Sequence, residues 1–270
     1  MKDISIIIVN YNSGSLTKQC IKSIKNSGTK LDLEIIVVDN ASSDDSVELL
    51  KSEFSDIKII ANKKNKGFAF GVNTGIKNAD SRYILILNPD ITLIDDPLTK
   101  LYNFMERAPK CGIVGAKLLN PNGTTQNSCF RFINPLIILY RRTFLGKLPF
   151  GKRALDWFLM KDFDHESTRN VAWLLGSCLF VRKEAIRKVG LMDERFFLYF
   201  EDVDWCRRFH DAGYKVYYFP EAEMMHYHKR SSAQRGIFKE VLFNKIAREH
   251  IKSAIKYFIK YLGKKTPDIK

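Results

Sequence analysis

Three carboxylates stand within four residues in the run Glu201-Asp202-Val203-Asp204, at the start of a helix-like segment and directly after the aromatic run Phe196-Phe197-Leu198-Tyr199-Phe200. A helix N-terminus stabilises negative charge by roughly 0.3–1 kcal/mol, so capping accounts for acidic residues there. Capping does not account for the aromatic approach, which would partly desolvate a carboxylate and raise its basicity, as a general base requires, in opposition to the helix dipole. Asn88-Pro89-Asp90 closes an apolar strand. It reads either as a turn or as a carboxylate at a sheet edge, where an oxygen-coordinated divalent cation could bridge a diphosphate. His226 and His228, two apart in an extended stretch, point the same way, each open to a structural or a metal-ligating role. Asp39-Asn40-Ala41-Ser42-Ser43 suits a nucleobase edge and a helix start equally. Asn65 to Asn73 pairs glycines with amides before a helix, which allows close backbone approach to a ligand. Neither Gly-Lys-Ser/Thr nor Gly-x-Gly-x-x-Gly occurs there, against kinase-like and dinucleotide readings.

These groups are carried by alternating elements. Strand-like Ile4 to Val9 precedes a stretch with Leu16, Cys20, Ile21 and Ile24 at helical spacing. A strand at Glu34 to Val38 and a helix at Ser43 to Phe54, with Ser43 as N-cap, come next. A strand Ile57 to Ala61, a helix after Gly67 and a strand Tyr83 to Leu87 complete a β-α-β-α-β-α-β series. Continuous apolar strands separated by helices predict an α/β protein with a parallel sheet covered on both faces and ligands beyond the strands' carboxyl ends. Further on, a helix near Pro97 to Arg107 precedes a hairpin of Ile113 to Leu119 with Thr124 onward about the 120–123 turn. Arg131 to Lys161 mixes aromatic and basic residues as an excursion from the core, and Val171 to Val181 returns as a strand. A short helix Lys183 to Val189, a helix from Glu201-Asp202 to Gly213 and a strand Tyr214 to Phe219 follow. The segment Ile237 to Leu262 is a basic amphipathic helix with Phe238, Leu242, Ile246, Ile251, Ile255, Phe258 and Leu262 near one face, either docked on the core by that face or lying on a membrane.

The chain has 270 residues, 45% of them hydrophobic, so disorder is excluded as the dominant state. Its longest apolar runs fall far short of the roughly 20 residues of a spanning helix, and Ile4 to Val9 is too short for a secretory signal. The expectation is a cytoplasmic protein. Five widely spaced cysteines without Cys-x-x-Cys fit reduced thiols. Of the net charge of +14, residues 229–270 carry +9, with 12 Lys/Arg against 3 Asp/Glu. Such a skew suggests a polyanionic partner, nucleic acid or an anionic membrane face.

Taken in order, Val9-Asn10-Tyr11-Asn12, Val37 to Ser42, Asn65 to Asn73, Asn88-Pro89-Asp90, Leu175-Gly176-Ser177-Cys178, Phe196 to Asp204 and His226 resemble the family 2 inverting glycosyltransferases, in particular the rhamnosyltransferase-like branch. The resemblance covers about residues 3 to 232. It implies a GT-A fold in residues 1–232, with a nucleotide-sugar-binding half (1–120), an acceptor and catalytic half (121–232) and a basic amphipathic helix in 233–270. It also implies a dTDP- or UDP-sugar donor with Mg²⁺ or Mn²⁺. By position, Asp39 matches the nucleobase-contacting aspartate, Asn10, Tyr11, Asn65, Gly67 and Phe68 the donor pocket, and Asp90 the surviving carboxylate of the Asp-x-Asp metal motif. Asn88 takes the place of that motif's first aspartate, which removes one negative charge. His226 matches the histidine that helps hold metal or diphosphate, Asp202 the catalytic base, and Trp173, Gly176 and Glu201 the acceptor and donor walls. Ala172 stands where relatives often carry an acid.

The implied reaction is transfer with inversion in cell-surface polysaccharide synthesis. The Arg131 to Lys161 excursion and the basic C-terminal helix suit a lipid-linked saccharide acceptor met peripherally at the inner face of the cell membrane. A sugar-nucleotide nucleotidyltransferase is disfavoured because no Gly-rich loop with a basic residue follows the first strand. A non-catalytic saccharide- or nucleic-acid-binding protein is disfavoured by intact Asp90, Asp202 and His226, and its nucleic-acid form by the lack of a recognisable DNA- or RNA-binding motif.

Overall fold

A computed structural model describes residues 1–227 and 245–269. The apolar runs become strands of one sheet: β1 (Lys2–Asn10), β2 (Leu33–Asp39), β3 (Lys58–Ala61), β4 (Ser81–Leu87), β5 (Ile91–Leu93), β6 (Cys111–Leu119), β10 (Cys178–Arg182) and β11 (Lys215–His226), in the order β3-β2-β1-β4-β10-β6-β11-β5. The short β8 (Arg169–Asn170) pairs with β11, while β7 (Cys129–Phe130) and β9 (Trp173–Leu174) form a separate two-stranded ribbon. The first four sheet strands are parallel, as expected; beyond them β10 runs antiparallel between β4 and β6. Alternate residues serve opposite faces. Ile7, Val9, Ile36, Val38, Ile84 and Ile86 pack in one core, while Ile6, Ile8, Val37, Leu85 and Leu87 pack in the other.

Helix α1 (Gly14–Lys25), α2 (Ser46–Glu53) and α4 (Pro97–Arg107) cover the second face through Cys20, Leu50 and Leu101. The first face is covered by α3 (Phe68–Lys77), α7 (Lys183–Val189) and α8 (Glu201–Asp211) through Val72, Ala185 and Val203. Both cores therefore exclude water from a sheet whose polar carboxyl ends stay clear. All five cysteines are free and buried.

Several local expectations are corrected. Helix α2 starts at Ser46 with Asp45 as N-cap and no side-chain cap bond, because Ser43 is taken by Asn12, whose Oδ1 accepts its backbone N–H at 2.8 Å. The 120–123 turn forms, but the hairpin stops at a single bridge, Leu119 to Thr125, because β6 spends its hydrogen bonds on β10 and β11. Val171 to Val181 is two strands, β9 and β10, separated by a turn at residues 175–177. The excursion is a helical hairpin of α5 (Pro135–Arg142), a 3₁₀ turn (Phe144–Lys147) and α6 (Pro149–Phe158).

The last helix, α9 (Lys245–Lys260), docks on the protein by only part of the predicted apolar stripe, with Phe258 packing against the core. Ala247, Ser253, Ala254, Tyr257 and Tyr261 are buried, whereas Ile255 and Leu262 of that stripe are 55% and 83% exposed. The predicted residues 237–244 lie outside the described part. Polar anchors decide the docking. The Ser253 hydroxyl donates to the Leu198 carbonyl at 2.9 Å, Lys256 to the Arg195 carbonyl at 2.7 Å, and the Tyr261 hydroxyl to Asp204 Oδ1 at 2.8 Å. Lys260 lies 2.7 Å from Asp193 and 2.5 Å from Asp204, which Arg208 also holds. Because Asp204 is wholly buried, losing one donor leaves charge under-solvated. Tyr261→Phe is expected to cost about 1–2 kcal/mol and lower the Tm by roughly 3–6 °C in differential scanning calorimetry. Lys260→Met, which strips both Asp193 and Asp204, should cost more.

Candidate active site

The carboxyl ends of β1 and β2 are in register, Asn10 beside Asp39. Asp39 is buried, and its Oδ2 accepts hydrogen bonds from Asn10 Nδ2 at 2.7 Å and the Ser42 hydroxyl at 2.5 Å. Its Oδ1 accepts the Ser42 backbone N–H at 2.9 Å. Thr17 donates to Asn10 Oδ1 at 2.9 Å and so fixes the amide that holds Asp39. Tyr11, the next residue, is half exposed at this edge. Asn40 bridges outward: its amide donates to the Gly67 carbonyl at 3.0 Å, and its oxygen accepts from Asn62 at 2.9 Å. Asn65 Oδ1 accepts the Gly67 N–H at 2.9 Å, closing the turn that begins α3.

That turn touches the segment that leads into α8. Gly67 has φ +100°, and a Cβ built on it would lie 2.2 Å from the Phe197 carbonyl oxygen. The same oxygen accepts the Phe68 N–H at 2.9 Å. Only glycine permits this approach. Three residues on, Tyr199 and Phe200 both take left-handed backbone (φ 66° and 70°), and α8 opens with Glu201 and Asp202. Bulky residues rarely adopt that region, and α9 holds this pair through the rings of His250 and Tyr257.

Asp202 is buried, with Oδ2 accepting the Gly176 N–H at 3.0 Å and Oδ1 the Val203 N–H at 2.8 Å. Burial outweighs these bonds and pushes its carboxyl up to about 6. Burial and then the Asp202 charge push Glu201 well above the usual carboxylate range. Glu201 Oε2 has no hydrogen-bond partner among the described residues. Gly176 is the meeting point: a Cβ there would lie 3.3 Å from Asp202 Oδ2 and 3.6 Å from Phe68 Cε1.

The next residue, Ser177, accepts the Asn88 N–H at 2.9 Å and so ties this turn to the Asn88-Pro89-Asp90 corner. Pairing of His226 with Ile91 on β5 brings the histidine to the same corner. Asp90 Oδ1 and His226 Nε2 are 3.3 Å apart, and His226 Nδ1 lies 2.6 Å from Gln126 Oε1. With Nδ1–H donating to Gln126, Nε2 presents its lone pair toward Asp90. Adjacent ligands of a divalent cation stand about 3 Å apart, so the pair fits a cation. No group of three or more His, Cys, Asp or Glu side chains able to hold a metal occurs among the described residues. His228 lies outside the described residues.

A family model, Glycosyl transferase family 2, matches residues 5–190. The chain belongs to that family. The N-acetylglucosaminyl-diphospho-decaprenol L-rhamnosyltransferase of Mycobacterium tuberculosis is 28% identical over 243 residues, 85% of this chain and 77% of that protein. The rhamnosyltransferase WbbL of Escherichia coli is 26% identical over 267 residues, 93% of this chain and 91% of that one. Among solved structures, GalNAc-T7 with UDP, GalNAc and Mn²⁺ superposes with a TM-score of 0.68 at 14% identity, over 97% of this chain and half of that one, and so shares the GT-A fold.

In this family 2 transferase the family match ends before Glu201, Asp202 and His226, which the fold carries back to the matched region. Trp173, expected at the acceptor wall, packs in the core: its ring stacks on Phe130 at 4.3 Å and its N–H donates to the Arg131 carbonyl at 3.0 Å. The ring lies there because β9 pairs with β7, setting Trp173 opposite Phe130. The sequence reading passed over Thr17, Asn62 and Gln126. They orient the functional groups from other segments, and no local motif marks them; only spatial adjacency does.

Proposed function

We propose that the transferase moves a sugar, with rhamnose the leading candidate, from a dTDP- or UDP-sugar to a hydroxyl of a saccharide acceptor carried on a lipid, at the anionic inner face of the cell membrane. The observation that carries this reading is the convergence of Phe68 from the donor turn, Gly176 and buried Asp202 at one point. Asp39, Asn10 and Tyr11 are assigned to the nucleoside, Asn65, Gly67 and Asn88 to the rest of the donor, and Gly176 with Glu201 to the acceptor side.

Asp202 takes the proton of the acceptor hydroxyl as that oxygen bonds to the anomeric carbon. The bond from that carbon to the diphosphate oxygen breaks, the nucleoside diphosphate leaves with the electron pair, and configuration inverts. The Gly176 and Val203 N–H groups each hold one oxygen of the base and fix the carboxylate, which accepts the proton at a remaining lone pair. Glu201, whose carboxyl burial pushes well above the usual carboxylate range, positions a substrate hydroxyl. Asp90 and His226 would hold Mg²⁺ or Mn²⁺, which when bound offsets charge on the leaving diphosphate.

Thermal shift and donor hydrolysis across dTDP-, UDP- and GDP-sugars, each with Mn²⁺, Mg²⁺ or EDTA, test this. One nucleotide sugar is expected to raise the Tm by several degrees, since saturation at 100 Kd is worth about 2.7 kcal/mol. Asp90→Ala and His226→Ala should each abolish the part of that shift removed by EDTA. A flat response to every nucleotide sugar would refute the donor assignment.

A further inference from the structure

The helical hairpin of α5 and α6 carries a surface that the transfer chemistry does not use. Residues 131–158 hold six basic side chains, Arg131, Arg141, Arg142, Lys147, Lys152 and Arg153, against one acidic side chain, Asp156, which pairs with Lys161. The same hairpin is apolar outside. Of the twelve large hydrophobic side chains exposed among the described residues, five lie here: Leu136, Leu139, Phe144, Phe150 and Trp157. Phe144 is the most open of them at 72%, on the 3₁₀ turn between the helices. On α6, Phe150, Arg153 and Trp157 follow at spacings of three and four, one helical face, and with Pro149 and Ala154 line a groove of about 500 Å³.

The hairpin is anchored from beneath by buried Ile137 and Phe158, so its outer aromatics are not needed for the core. It also abuts α9, where Arg142 lies 3.4 Å from His250 and where Ile255, Ile259 and Leu262 are three further exposed apolar side chains.

From this juxtaposition of exposed aromatic and clustered basic side chains we infer that the α5–α6 hairpin is a docking face for an anionic phospholipid bilayer, with Phe144, Phe150 and Trp157 entering the headgroup boundary and Lys147, Lys152 and Arg153 meeting lipid phosphates. Charge complementarity selects the partner: a neutral apolar protein surface leaves the cations unmet, whereas an anionic bilayer satisfies both kinds of side chain. Among the described residues no helix is long and apolar enough to cross a membrane, so attachment by this face lies in the plane of the surface. The inference deepens the membrane part of the proposed function and is independent of its chemistry.

Co-sedimentation of the full chain with vesicles of phosphatidylcholine, with and without about 30 mol% phosphatidylglycerol, tests it. Wild type should partition at least tenfold more strongly onto the anionic vesicles, and added salt should weaken the binding. The variant Phe144→Glu/Phe150→Glu, and separately Lys147→Glu/Lys152→Glu/Arg153→Glu, should each lose at least tenfold with unchanged Tm and unchanged nucleotide-sugar hydrolysis. Absence of wild-type partitioning overturns the inference. So does undiminished binding by both variants, which would place attachment in the basic residues 229–270 or elsewhere. Loss of vesicle binding with nucleotide-sugar turnover intact would leave the enzymatic reading standing, and vesicle binding without turnover would do the converse.

Discussion

Asp202→Asn is expected to lower kcat for sugar transfer by about 10²–10⁴-fold, the range spanned by a positioned general base, while donor affinity stays within about twofold of wild type. Donor contacts are assigned to the turn at Gly67 and to the ends of β1 and β2, whereas Asp202 is held from Gly176 and Val203. The pH dependence follows from burial. With the carboxyl pushed up to about 6, the ionised base accumulates only above that pH. Wild-type kcat should therefore rise with pH through about 6 and level off above it. Burial and then the Asp202 charge also raise Glu201, so the two adjacent carboxyls titrate as a coupled pair. Stability moves the opposite way: a carboxyl whose pKa is raised by folding contributes stability below its ordinary range, and that contribution is lost as pH rises through about 6. Wild-type Tm should carry a downward step between about pH 4 and 6 that is absent in Asp202→Asn. Substantial turnover by the variant, or an acid limb near 4, would remove Asp202 from the role of base. The carboxamide must also set its NH₂ group against either the Gly176 or the Val203 N–H, so Tm and donor binding are read beside the rate.

Gly67→Ala is the second large effect. The substitution meets two obstacles at once, φ +100° and a carbonyl oxygen 2.2 Å from the new methyl. That oxygen belongs to Phe197, so relief requires the donor turn and the segment leading to Asp202 to part. Separation breaks the Phe68 to Phe197 bond and disturbs the Asn40 to Gly67 bond, at an expected cost of about 2–4 kcal/mol. The Tm should fall by roughly 5–12 °C, and nucleotide-sugar affinity, measured by calorimetric titration below the new Tm, by at least tenfold. A fall in Tm with donor affinity unchanged would make Gly67 a folding residue and withdraw it from the donor pocket.

Much of this molecule is legible in the order of its residues. The apolar runs at Ile4 to Val9, Glu34 to Val38 and Tyr83 to Leu87 specify a parallel sheet, because a strand buried on both faces cannot alternate polar and apolar positions. Placing polar residues directly after those runs then dictates that Asn10, Asp39 and Asn88 stand at one edge. Gly67 and the aromatic approach to Glu201-Asp202 are likewise local: a residue without Cβ and a desolvated acidic pair show in the sequence as composition. The face by which α9 docks is not local. Its hydrophobic periodicity points to Ile255 and Leu262, yet buried Asp204 draws Lys260 and Tyr261 inward, and a desolvated charge outweighs an aliphatic stripe. Trp173 is buried for a similar reason, since β7 supplies the ring it stacks on from more than forty residues away. The link from Gly176 to Asp202 and the pairing of Asp90 with His226 also join segments distant in the chain. Propensity and periodicity act over a few neighbours and set the elements and the chemistry each one carries. Which of those chemistries meet is decided by sheet order and by the need to satisfy buried polar groups, and those exist only once the chain has folded.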